Sequence, residues 1–325
     1  MKSVTPIFIF SLPRSGSTLL QRLIAMHSEV ATESETWLLL PLFYLTKNQT
    51  GVSEYNQGYA KNGIQEALGK IEDGTDFYYE QAAKLARTIY SQLAKNGEKY
   101  FLEKTPRYHL IIDEIISSFP DAKIIFLWRN PLAIINSMLT SWGKDRWNIF
   151  RYKIDLYKGL ENMVSAFEKY GNRSISIKYE DLLELPEKEL NRIMEYLGLP
   201  LEKIEPEKLG ENILTGSMGD NTGINIYTSL SKEPLDKWKH QNSNLVRKAW
   251  CRRYLKWIGD ERLMLMGYDG NELRNQLSNF RLTPGRVISD IVRIIYGFIY
   301  SLLDLPIIWK KLNMIWQRKK IYPFS

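Results

Sequence analysis

Several residue clusters in this 325-residue chain are suited to chemistry on an anion. The first is Pro13-Arg14-Ser15-Gly16-Ser17-Thr18, which follows an apolar run, PIFIFSL, and leads into the helical pattern STLLQRLI. A strand–turn–helix connection of this kind presents backbone N–H groups that lack intrahelical acceptors, and the helix dipole adds to their attraction for negative charge. Gly16 lets the backbone approach a ligand closely, Ser17 and Thr18 add hydroxyls, and Arg14 adds a forked cation. Aligned on Gly16, the phosphate-loop pattern G-x-x-x-x-G-K-[ST] finds Ser11 at its first glycine, Ser17 at its lysine and a match at Thr18. The stretch reads as a phosphate loop without its lysine, a change that would weaken a metal-dependent nucleotide hydrolase.

Three further clusters lie at the ends of apolar runs. Arg129 closes KIIFLWR, and Ser137 stands eight residues on, inside the next helical pattern. An arginine there forks onto a phosphate while the serine donates from further along the helix. Lys104 closes FLEK and points to the same edge. Tyr179 closes ISIKY, placed either beside a bound ring or as an aromatic core plug. Two glutamates, Glu33 and Glu35, sit two apart in ATESETW, where by themselves they read as the acidic first turn of a helix.

Together these stretches resemble the sulfotransferases that use PAPS (3′-phosphoadenosine 5′-phosphosulfate), most closely in the style of the tyrosylprotein and carbohydrate branches. The resemblance covers about residues 6–240 through separated motifs. It implies that Arg14, Ser15, Gly16, Ser17 and Thr18 hold the 5′-phosphosulfate, and that Arg129 and Ser137 recognise the 3′-phosphate. It also implies that Lys104 stabilises the transferring group and that Glu35 is the catalytic base, with Glu33 and His27 as competitors. His27 lies at the end of the first helix, in a context the family uses structurally. Tyr179 would lie near the adenine. Lys237, before Trp238, resembles a late lysine that closes over the 3′-phosphate, with Ser229 or Ser231 nearby. The loop before it departs from the family form R-K-G-x-x-G-x-W-K. No metal is implied, because a sulfuryl group carries less charge than a phosphoryl group and protein cations suffice; PAP is the product.

Elements that position these residues are legible in outline. Four runs read as buried strands, Pro6–Leu12, Tyr100–Lys104, Lys123–Arg129 and Ser174–Tyr179. Helical patterns lie between them: Ser17–His27, Asp76–Leu93 with Leu85 and Ile89 on its apolar stripe, Tyr108–Ser118, Leu132–Leu139, Tyr152–Tyr170 and Glu187–Leu197. Such alternation predicts an α/β fold with a mostly parallel central sheet flanked by helices, a three-layer P-loop-type architecture. Ligands then bind beyond the carboxyl ends of the strands. Residues 46–75 read as a surface insertion and 210–236 as a lid-like loop.

Net charge is +7 and mean hydropathy is −0.31. The charge points to an anionic partner, and a polyanionic donor accounts for part of it without nucleic acid, for which no module is present. The single cysteine, Cys251, excludes an internal disulfide and fits a cytoplasmic setting. Neither a signal peptide nor a spanning run is expected. Residues 1–282 read as the catalytic domain. Residues 283–325 read as a basic amphipathic extension, either lying on a membrane surface or docking on the domain or on a second subunit of a homodimer. Two other functions compete with a sulfotransferase acting on a hydroxyl acceptor (carbohydrate, glycolipid or peptidyl tyrosine). A P-loop nucleotide kinase or NTPase predicts Mg²⁺ dependence, and a non-catalytic nucleotide-binding membrane protein predicts PAP binding without turnover.

Overall fold

A computed structural model describes residues 3–44, 57–202, 209, 231–236, 238, 244–280, 282, 285–303, 308, 312 and 316. Its centre is a five-stranded, all-parallel sheet in the order β2-β3-β1-β4-β5. The strands are β1 (Thr5–Ser11), β2 (Val30–Thr32), β3 (Tyr100–Glu103), β4 (Lys123–Trp128) and β5 (Ser174–Lys178). Burial on both faces explains why β1 and β4 are continuous apolar runs rather than alternating ones. Their period of two still sorts side chains between two cores. Phe8, Phe10, Phe126 and Trp128 enter one, while Ile7, Ile9, Ile125 and Leu127 enter the other.

The second core is closed by α1 (Ser17–Ile24), through Leu19, Leu20, Leu23 and Ile24, and by α8 (Tyr179–Glu184) and α9 (Pro186–Leu197). The first is closed by α2 (Leu39–Tyr44), α4 (Gly74–Leu93), α5 (Ile112–Ser118), α6 (Pro131–Ser141) and α7 (Leu160–Tyr170). It is extended by α11 (Leu245–Ile258), α12 (Asp260–Leu265) and α13 (Gly270–Ser278). Two short helices, α3 (Gln57–Leu68) and α10 (Glu233–Asp236), and the C-terminal α14 (Val287–Leu302) complete the described elements. Cys251 is buried in α11, and burial pushes its thiol up to about 12.

Several sequence expectations need correction. β2 escapes the pattern because it has only three residues, held by pairing with β3 and by the Thr32 hydroxyl donating to the Leu102 carbonyl at 2.7 Å. The described part of the expected insertion 46–75 contains α3 and the first residues of α4. Leu85 faces solvent; the buried stripe of α4 runs through Ala82, Ala83, Ala86 and Tyr90. The expected helix from Tyr152 begins instead with a 3-10 turn (Ile149–Tyr152) and a π-helical turn (Ile154–Gly159) before α7. Tyr179 opens α8 instead of ending β5.

Because all five strands run the same way, their carboxyl ends share one edge. The segments after them carry the loop at Arg14, Glu35, Lys104, Arg129 and Tyr179 to that edge.

Candidate active site

The turn after β1 is locally strained, and its residues suit the strain. Arg14 has φ 67° and Gly16 has φ 89°, both left-handed. Glycine alone tolerates the second position, since a Cβ on Gly16 would lie 2.3 Å from Cδ2 and Cε2 of Tyr179. The Tyr179 ring thus packs directly on the loop, and the Arg129 guanidinium stacks on that ring, with Cζ 4.3 Å from its centroid. Arg129 Nη1 donates to the Arg14 carbonyl at 2.7 Å. The loop, the end of β4 and the start of α8 are therefore one packed unit.

Asn130 and Pro131 explain why Arg129 is fixed at the strand exit. The Asn130 side chain caps α6 by accepting from the N–H groups of Leu132 (2.9 Å) and Ala133 (3.4 Å), and Pro131 takes the first helical position. The Asn130 N–H donates to Glu180 at 3.0 Å. Along α6, Ser137 and Ser141 face the loop: Arg14 Nε donates to Ser137 Oγ at 3.2 Å, and Nη2 to Ser141 Oγ at 2.8 Å. Arg14 and Ser137, expected at the 5′-phosphosulfate and at the 3′-phosphate respectively, are here in direct contact.

Lys104 and Glu35 form the second centre. Lys104 Nζ donates to Glu35 Oε1 at 2.7 Å, with both side chains largely withdrawn from water. Trp37 Nε1 donates to the other carboxylate oxygen at 3.2 Å. The segment bearing Glu35 is tied to β3 from below. Thr36 and Thr105 hydroxyls donate to the buried Glu103 carboxyl at 2.7 and 2.9 Å, and the Trp37 N–H donates to Thr105 Oγ1 at 3.2 Å. Burial raises the Glu103 carboxyl from 4.5 to about 7, against the lowering effect of Thr36, Thr105 and Lys104.

This shift has a measurable consequence. Between about pH 4.5 and 7 the native state holds a proton on Glu103 that the unfolded chain releases, so stability falls as pH rises through that window. The protonated carboxyl's full contribution is present below 4.5 and is lost through the folded value near 7. A shift of this size corresponds to about 3 kcal/mol. Glu103→Gln is therefore expected to flatten the fall in stability between pH 5 and 8. The check is denaturant unfolding of both proteins across that range, and parallel curves would contradict the assignment.

These residues surround a cavity of about 660 Å³. Arg14, Gly16, Ser17 and Thr18 form its floor with Arg129, Ser137 and Tyr179, and Glu35 and Trp37 stand at the side. Lys104 is not part of the wall; it stands behind Glu35 and reaches the cavity through that carboxylate. Ser15 is buried beneath the loop, its N–H donating to the Leu12 carbonyl at 3.3 Å, and does not line the cavity. Glu33 is outside the wall, its carbonyl accepting from Gln21. His27 is buried away from it, with Nε2 3.0 Å from the Pro200 carbonyl and Nδ1 accepting from the Glu29 N–H. Ser231 is exposed and accepts from the Glu233 N–H. Lys237 and Ser229 lie outside the described residues.

The rest of the wall was not foreseen from sequence. Asp155, in the π-helical turn, is buried and accepts from His109 Nε2 at 3.0 Å, with Arg107 Nε at 3.3 Å. Arg107, Arg151, Tyr152 and Trp142 join it, and Glu233, Pro234 and Trp238 border the same cavity. A π-helical turn often marks a functional position, but nothing in the run IDLYKG distinguishes it from an ordinary helix.

Chemically, the cavity joins a helix start rich in N–H donors to four arginines (Arg14, Arg107, Arg129, Arg151), with a carboxylate–ammonium pair at its side. Arg129 Nε is buried without a partner among the described residues, so this guanidinium retains donor capacity beside the cavity. A small ligand with more than one anionic group fits such a surface.

Comparisons with known proteins agree with this chemistry. A family model described as the sulfotransferase family matches residues 6–203. Nodulation protein NoeE of Sinorhizobium fredii is 28% identical over 228 residues, covering 61% of this chain and 52% of that protein. Protein-tyrosine sulfotransferase 2 of Gallus gallus is 29% identical over 210 residues, with the same coverages. The chain thus spans about half the length of these curated relatives. Among solved structures, the sulfotransferase domain from the curacin biosynthetic pathway aligns with a TM-score of 0.52 at 21% identity. It covers 83% of this chain and 99% of that one. The sulfotransferase domain of the Synechococcus PCC 7002 olefin synthase aligns equally well at 24% identity, with coverages of 78% and 94%; both support the fold.

Proposed function

The chain belongs to the sulfotransferase family, and from that premise we propose that it transfers a sulfuryl group from PAPS to a hydroxyl-bearing acceptor. The observation that carries this reading is the junction of the Arg14–Thr18 loop, Arg129 and the Lys104–Glu35 pair around one cavity. The loop N–H groups, Ser17 and Thr18 would hold the 5′-phosphosulfate, and Arg129, Ser137 and Arg14 the 3′-phosphate. Tyr179, already packed between Gly16 and Arg129, would border the nucleoside.

In the proposed reaction the acceptor oxygen forms a bond to sulfur while the bridging oxygen–sulfur bond breaks. Glu35 takes the acceptor's proton, and the bond electrons leave on the 5′-phosphate of PAP. Lys104 holds Glu35 in place and supplies positive charge behind the carboxylate, at the side of the cavity where charge shifts in the transition state. Cations of the chain then do the work a metal does in many phosphoryl transfers. The acceptor would enter on the side of Trp37, Trp142 and Asp155, where aromatic faces and a carboxylate suit a polar ring bearing hydroxyls.

Incubation with ³⁵S-labelled PAPS and a panel of a tyrosine peptide, a glycan and a glycolipid is expected to label at least one class, equally with and without EDTA. Labelling abolished by EDTA would point to a metal-assisted enzyme. Labelling of none, with PAP bound, would favour a non-catalytic nucleotide-binding protein.

A further inference from the structure

The C-terminal helix α14 is built the wrong way round for a helix in water. It docks on the domain through polar and small residues spaced alternately four and three apart, and its apolar side faces outward. On the docked side, Asp290 is buried and receives two hydrogen bonds from Arg247, at 2.6 and 3.0 Å, and one from Asn244 at 2.7 Å. One turn on, Arg293 Nη1 donates to Asn148 Oδ1 at 2.7 Å. Then Gly297 lies so close to Phe150 that a Cβ would meet its side chain at 2.7 Å, and Tyr296 and Tyr300 pack on the same ring. This anchoring fixes which side of the helix is free.

The free side carries Ile288, Val292, Ile295, Phe298, Ile299 and Leu302, with Ile288 80%, Phe298 68% and Leu302 70% exposed. Beyond the helix, the described positions Ile308, Leu312 and Trp316 are helical, four residues apart and exposed, the spacing of an apolar stripe of their own. A patch of this extent calls for a partner.

We infer that this face seats the protein on an anionic lipid surface. The charge pattern selects that occupant. After Arg286 and Arg293, which bond to the domain, the sequence carries Lys310, Lys311, Arg318, Lys319 and Lys320 against a single acidic residue, Asp304. Tryptophans at 309 and 316 flank the lysines, as amphipathic aromatics do at a headgroup boundary. A second copy of the chain carries the same net charge of +7, and like charges oppose that pairing. Because α14 is held along its length against the domain by Asp290, Arg293 and Gly297, the proposed contact has it lying along the lipid surface; among the described residues no helix is long and apolar enough to cross a membrane. Phe150, its main docking partner, is followed by Arg151 and Tyr152 of the cavity wall, so the docked helix and the cavity share one segment.

Lipid binding through α14 does not require sulfuryl transfer and is measured directly. The full chain is sedimented with vesicles of phosphatidylglycerol and phosphatidylcholine, and with phosphatidylcholine vesicles alone. Strong binding to the anionic vesicles is expected, at least tenfold weaker on neutral ones and reduced by high salt. The triple variant Ile288→Ser, Phe298→Ser, Leu302→Ser, which leaves the docked side untouched, is expected to lose at least tenfold in binding. Its far-ultraviolet circular dichroism and unfolding midpoint should remain wild-type. Equal binding to both vesicle types, or none to either, overturns the proposal. So does a dimer in light scattering that the triple variant dissociates, since the face would then belong to a second copy.

Discussion

Replacing Glu35 by glutamine is expected to lower kcat by about 10²- to 10⁴-fold, the range for loss of a general base, while PAP affinity changes little. Glutamine keeps the shape of the side chain but has a single acceptor oxygen, so it can accept from Lys104 Nζ or from Trp37 Nε1, which donate to different carboxylate oxygens, and not from both. What it cannot do is take a proton from the acceptor. Lys104→Ala should also slow turnover more than it weakens PAP binding, but for a second reason as well. It leaves Glu35 largely buried beside an emptied site, and breaking a buried pair costs about 3–5 kcal/mol. Glu35→Gln combined with Lys104→Met removes both charges and should recover much of that stability without recovering activity. Single-turnover kinetics and unfolding curves on the four proteins separate the effects. Full activity in Glu35→Gln would move the base elsewhere, and a Lys104→Ala variant impaired only in binding would remove the lysine's catalytic role.

Arg129→Ala is the second substitution with a large expected effect. The guanidinium stacks on Tyr179 and holds the Arg14 carbonyl, and its Nε has no partner among the described residues. A charge-assisted hydrogen bond contributes about 1.5–3 kcal/mol, so PAP affinity should fall about 10- to 150-fold for each one lost. The loss should be specific. AMP, which lacks the 3′-phosphate, should bind the variant nearly as it binds the wild type. A parallel loss for both nucleotides would mean that Arg129 acts by shaping the Arg14–Thr18 loop, as its bond to the Arg14 carbonyl would allow.

Much of this arrangement is legible in the sequence because the sheet is parallel and buried. Each long strand then appears as an unbroken apolar run, and the residue ending it must lie at the ligand-binding edge. That logic finds Arg14, Lys104, Arg129 and Tyr179 without a structure. Glu35 follows a strand too short to be seen as one, Val30–Thr32, and comes into view only through resemblance to a family. Asp155 has no local signal at all. Its run reads as ordinary helix, and the π-helical turn and the contacts to His109 and Arg107 are set by tertiary packing. Glu103 similarly reads as an alternating strand residue, yet it is buried and ties the Glu35 segment to β3 through two threonines. For the C-terminal helix, the sequence shows apolar residues interrupted by Asp290 and Arg293. Which side faces the domain depends on Arg247, Asn148 and Phe150, which are distant in the chain.

Sulfuryl transfer as proposed requires that one cavity bind a nucleotide phosphorylated at both its 3′ and 5′ positions. Isothermal titration of the wild-type chain with PAP, beside AMP and ATP without added metal, tests that claim most directly. One site per chain is predicted, with PAP preferred over AMP by at least about tenfold through the added 3′-phosphate contacts. No heat with PAP, or tighter binding of ATP than of PAP, would contradict it.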